Sequence, residues 1–88
     1  MRKIIGKVTE TERNEIMVLY ERKNGLSELI KIINPDDAIY EKLVTDMGST
    51  STKFQKWWDT MSSKYQWESL GNGHWEIDFE SCDILLVS

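Results

Sequence analysis

Ile33-Asn34-Pro35-Asp36-Asp37-Ala38-Ile39 divides the longest apolar pattern of the chain in two. Asn is a favoured helix N-cap. Proline at the first helical position gives up only an amide that has no partner there, and the two aspartates complement the positive end of a helix. One helix therefore stops near residue 33 and the next, over 35–66, starts almost at once. A connection this short makes the two helices antiparallel neighbours.

Toward the N-terminus, Thr9-Glu10-Thr11-Glu12 is a capping box, with a hydroxyl and a carboxylate spaced to satisfy each other's backbone N–H. Ile16, Leu19, Lys23, Leu26, Ile30 and Ile33 then recur at spacings of three and four, the seam of a packed helix. Lys23 fits this seam if its stem lies along it and its ammonium stays in water. Val18, Gly25, Leu29 and Ile32 form a second stripe. Asn24-Gly25 costs about 1 kcal/mol in helix propensity, yet the apolar phase runs through it, so one helix is expected over 10–33.

Toward the C-terminus, Ile39, Leu43, Met47, Thr50, Phe54, Trp57, Met61 and Tyr65 keep a helical phase across the poor helix formers Gly48-Ser49-Thr50-Ser51-Thr52. One helix, kinked or frayed near 48–52, is expected. After Tyr65 the period changes from 3.6 to 2. Trp67-Glu68-Ser69-Leu70 reads as a short strand, Gly71-Asn72-Gly73 as a turn, and His74–Phe79 as an alternating strand. With Glu80-Ser81 as the central pair of a hairpin, Phe79 faces Cys82, Ile77 faces Ile84 and Trp75 faces Leu86. The expected fold class is α+β in a single domain over 1–88. A long antiparallel helical hairpin is followed by a C-terminal three-stranded antiparallel β-meander over 67–87, and residues 1–8 add a strand or remain an arm.

Composition excludes several functions. The 88 residues include 11 Lys plus Arg against 15 Asp plus Glu, a net charge of −4 that repels nucleic acid phosphates, so no nucleic acid partner is expected. No apolar run approaches the roughly 20 residues of a membrane span, and none follows Met1-Arg2-Lys3 at signal-peptide length. The expectation is a cytoplasmic protein in which a lone thiol stays reduced. One cysteine and one histidine cannot build an internal disulfide or a structural zinc site, and no cofactor or metal is expected.

Catalytic groups are sparse. A Cys82–His74 dyad needs both on one face, whereas the hairpin register puts them on opposite faces. Glu76, Asp78, Glu80 and Asp83 form an acidic strand face, read as solvated rather than as a metal or acid–base site. The aromatic residues are the better candidates. Trp57, Trp58, Trp67 and Trp75 fall close together with Phe54, Tyr65 and Phe79, as a core, a dimer seam or a binding surface. Adjacent Trp57 and Trp58 point about 100° apart on a helix, so one is expected inward and the other at a boundary.

Gly6-Lys7-Val8-Thr9-Glu10, Tyr20-Glu21-Arg22-Lys23-Asn24-Gly25-Leu26, Ser51-Thr52-Lys53-Phe54, Trp57-Trp58 and Trp75-Glu76-Ile77-Asp78-Phe79-Glu80-Ser81-Cys82 together resemble a family of small bacterial proteins, the Cys-X-X-X repeat peptide modification system proteins. Members lie beside repeat-bearing precursor peptides and radical-SAM maturases. The resemblance implies a non-enzymatic accessory role in maturing a ribosomally made peptide, with a protein or peptide partner. It brings no catalytic motif, and the chain lacks the cysteine cluster of a radical-SAM iron–sulfur site. The alternatives are a small cytosolic enzyme using Cys82 or the acidic sheet face, and an antitoxin-like regulatory dimer.

Val18, Leu29 and Ile32 on the first helix and Tyr40, Val44 and Trp58 on the second exceed what one hairpin can cover, so a homodimer is expected. Sedimentation at high micromolar concentration should give a mass twice that of the chain; a purely monomeric species contradicts the pairing.

Overall fold

The computed structural model describes residues 1–88. The elements run β1 (Arg2–Lys7), α1 (Glu10–Ile32), α2 (Ala38–Tyr65), β2 (His74–Ile77) and β3 (Asp83–Val87). The class is α+β, a helical hairpin beside a three-stranded antiparallel sheet. Thr9 opens α1 as its sequence requires. Its hydroxyl accepts from the Glu12 N–H at 3.1 Å, and the Glu12 carboxylate accepts from the Thr9 N–H at 2.9 Å.

The connector differs in detail from the sequence expectation. Asn34 does not cap α2. Its side chain accepts from the Asp36 N–H and its carbonyl from the Asp37 N–H, which places Pro35 inside a turn that suits its fixed φ. Asp37 is the N-cap, accepting from the Ile39 N–H at 3.0 Å, so α2 starts at Ala38. The helix runs continuously through Gly48–Thr52, so the poor helix formers there do not divide it. The Thr45 and Thr52 hydroxyls fold back onto the carbonyls of Glu41 and Gly48, so they do not compete for backbone groups elsewhere.

The strand order is β1-β3-β2. Residues 2–7 supply the third strand, and Trp67–Leu70 is not a strand, which corrects the meander read from its alternation. Gln66, in the left-handed region at φ 51°, ends α2 and turns the chain so that Trp67 drops into the core. The β2–β3 register is the expected one, Trp75 opposite Leu86 and Ile77 opposite Ile84. The turn is longer than expected, however, and Phe79 does not pair with Cys82. Asp78 opposes Asp83, donating to its carbonyl at 2.9 Å, while the Asp78 carbonyl accepts from the Cys82 N–H at 2.8 Å. This is a four-residue loop closed by a bulge, and Cys82 at φ 65° occupies the left-handed position that glycine usually takes. The Asp78 side chain stabilises the loop by accepting from the N–H groups of Glu80 and Ser81.

The core lies between the inner sheet face and the half of the hairpin nearest the sheet. It holds Val8, Ile16, Trp57, Trp58, Met61, Trp67, Cys82 and Ile84. The far half of the hairpin buries only Leu26, Leu43 and Thr50. Val18 and Ile32 remain 62% and 78% exposed, whereas Trp58 is covered by the sheet.

Gly6 sits at an irregularity of β1, where the register against β3 shifts between Ile4 and Gly6. A Cβ there would stand 2.8 Å from the indole nitrogen of buried Trp67. Gly25, by contrast, has nothing within 4 Å of where its Cβ would be. Gly6→Ala should lower stability by about 1–3 kcal/mol through overpacking, and Gly25→Ala should raise it by about 0.5–1 kcal/mol through helix propensity. Chemical denaturation of the two variants checks both signs.

Candidate functional site

The four tryptophans form one connected block. The period of α2 places Trp57 toward α1 and Trp58 toward the sheet; their rings meet edge to face at 5.0 Å. Trp67 stacks on Tyr65 at 5.6 Å and meets Trp58 and Trp75 edge on. Trp75, on β2, lies nearly parallel to Trp58 at 6.5 Å. Trp57, Trp58 and Trp67 are buried, and Trp75 alone is half-buried. The boundary position expected for one of Trp57 and Trp58 therefore falls to Trp75 instead, because the sheet covers Trp58. Aromatic pairs of this kind contribute about 0.5–1.5 kcal/mol each beyond area burial, so most of the block is core.

The indole N–H groups divide differently. Trp57 donates to the Glu12 carbonyl at 3.1 Å, and Trp75 donates to the Glu68 carbonyl at 2.9 Å. The Trp67 N–H is buried without an acceptor, facing the bare backbone of Gly6.

Behind the block stands a polar anchor that composition and spacing do not disclose. Glu12, 7% exposed, accepts from Lys64 at 2.6 Å and from the Tyr65 hydroxyl at 2.5 Å in addition to the Thr9 amide. One carboxylate thus completes the cap of α1 and ties it to the last turn of α2. Burial pushes the Glu12 carboxyl up, but the Lys64 ammonium, the Thr9 amide and the Tyr65 hydroxyl outweigh it and bring it down to about 2. The same bond to Glu12 raises Lys64 and Tyr65. The capping box was legible; its partners more than fifty residues away were not.

Between α2 and β2 runs a cleft. One part, about 370 Å³, lies between Phe54, Gln55 and Trp58 on the helix and Gly73, His74 and Trp75 at the strand. The adjoining part, about 310 Å³, shares Phe54, Trp58 and Trp75 and continues to Ile77 and Phe79. Lys23 lies 4.8 Å over the Phe54 ring, its stem along the helix seam as expected. Arg13 donates to the Phe79 carbonyl at 2.6 Å and fixes the turn end of the cleft to α1. Ile77 carries the strand period that marks a core position, which gives no reason to single it out.

The polar candidates are dispersed. Cys82 is buried at the turn end of the hairpin, while His74 begins β2 at the other end and bonds Glu76 at 3.0 Å. That bond holds Glu76 below the usual carboxylate range, with Arg2 adding to it. Asp83 pairs with Lys7, and Asp78 holds the turn. No group of three or more His, Cys, Asp or Glu side chains is placed to hold a metal ion, and no helix is long and apolar enough to cross a membrane. No family model, curated protein or solved structure matches the chain.

Because Glu12 titrates lower in the folded state than its ordinary value of 4.5, its contribution is fully present above pH 4.5 and is lost as pH falls toward about 2. That contribution is about 1–3 kcal/mol once solvent around the exposed Lys64 is allowed for. Urea titrations between pH 7 and pH 2 should show this loss in the parent chain. In Glu12→Gln the chain should be less stable at pH 7, with a flatter dependence below pH 4.5.

Proposed function

We propose that this chain is a non-enzymatic accessory protein that binds a peptide or a partner enzyme at its tryptophan-rich end. The observation that carries the reading is the cleft between α2 and β2. It is walled by Phe54, Trp58 and Trp75 and lies beside the one indole that the core leaves half-open. Aromatic side chains held rigid by a packed interior present large contact area at low entropic cost, the usual character of binding hot spots. The separation of Cys82 from His74 supports binding over thiol chemistry. The resemblance to Cys-X-X-X repeat peptide modification system proteins supplies the class of partner, a ribosomal precursor peptide or the enzyme that modifies it. Self-association of the helical arm, covering Val18, Leu29 and Ile32, belongs to the same reading.

The partner is tested by titrating the chain with a Cys-X-X-X repeat precursor peptide and with its cognate radical-SAM maturase. Tryptophan emission should shift on binding, and Trp75→Ala should weaken binding about tenfold or more, as truncation of an interfacial tryptophan does. Unchanged emission and separate elution with both partners contradict the proposal.

A further inference from the structure

Resting on that reading, we infer that the cleft takes its ligand as an added strand: an extended peptide with alternating apolar and basic residues pairs with the free edge of β2. The strand order β1-β3-β2 leaves β2 with one neighbour. The Asp78 N–H donates to the Asp83 carbonyl, and strict alternation along an antiparallel ladder then makes His74 and Glu76 the residues bonded to β3. The N–H and C=O groups of Trp75 and Ile77 therefore turn away from β3, two donors and two acceptors at strand spacing. No other hydrogen bond in the chain engages them.

The two sheet edges are built differently. β1 carries Arg2, Lys3 and Lys7 and a register irregularity before Gly6, the devices that keep an edge from pairing. β2, His74-Trp75-Glu76-Ile77, has neither lysine, proline nor bulge and borders the aromatic cleft. A strand laid along it presents alternate side chains to the two sheet faces. One set enters the cleft at Phe54, Trp58 and Trp75. The other set lies beside the outer face, where Glu76 is paired with Arg2 and His74, Asp78 holds the turn, and Glu80 enters no ion pair in a chain of net charge −4. Main-chain pairing supplies affinity and the alternating pockets supply selectivity. The chemistry that fits is an extended peptide with apolar residues on one side and Lys or Arg on the other.

The test is selection of a random twelve-residue peptide library on the folded chain, followed by amide exchange with the enriched peptides. Enrichment of apolar–basic alternation is expected. Bound peptide should slow exchange of the Trp75 and Ile77 amides at least tenfold, and N-methylation of alternate peptide amides should abolish binding without changing side chains. Glu80→Lys should reduce enrichment of basic residues while leaving the fold intact. Enrichment of apolar residues at spacings of three and four would mean a helix in the cleft and overturns the inference. Peptides that shift tryptophan emission but leave the Trp75 and Ile77 amides unprotected overturn strand addition while leaving binding at the tryptophan-rich end in place. Absence of any enriched peptide overturns the inference as well.

Discussion

The Glu12 carboxylate is the constraint on which the arrangement rests. A helix start and a helix end, brought side by side by a tight turn at the far end of the hairpin, must be held together where the sheet packs. Glu12 does this with one buried group, accepting from the cap of its own helix and from Lys64 and Tyr65 of the other. The Trp57 indole adds a second tie to the same residue through its backbone carbonyl. A carboxylate so surrounded stays charged because its donors outweigh the cost of burial. Removing Glu12 takes the acceptor from the Thr9 amide and the Tyr65 hydroxyl together, so its loss should cost more than that of an exposed ion pair.

With that end closed, the tryptophan block follows. Trp57 is fixed against α1, so Trp58 points to the sheet. The left-handed Gln66 turns Trp67 under Gly6, and Trp75 is left at the rim. The chain spends three indoles on its interior and one on its surface. The cleft exists because α2 and the edge of β2 are held apart by those rings rather than by another strand. The half-open Trp75 ring is backed by the buried rings of Trp58 and Trp67, so the packing behind it holds it in place.

The helices and the β2–β3 register were legible because each follows a clean period, 3.6 in α1 and α2 and 2 from His74 to Ile77. Elsewhere local pattern and distant contacts disagree. Trp67–Leu70 alternates, but with only two apolar residues the signal is short, and a core place for Trp67 beside Gly6 overrides it. Residues 2–7 carry charges that obscure their strand character, and their pairing with β3 spans nearly the whole chain. The longer turn is not legible in the sequence because Cys82 holds the left-handed position where glycine normally signals a bulge. Among the candidate residues, aromatic density named the four tryptophans. Which of them would be open depended on the sheet, and Glu12 showed only its local role.

β2, with a strand on one side only, offers an unpaired edge beside the aromatic block. Amide hydrogen exchange of the free protein, read residue by residue, tests it most directly. Alternation along β2 is expected, with the Glu76 and Asp78 amides slow and the Trp75 and Ile77 amides fast. Equal, strong protection of all four amides would show the edge to be covered and would contradict it.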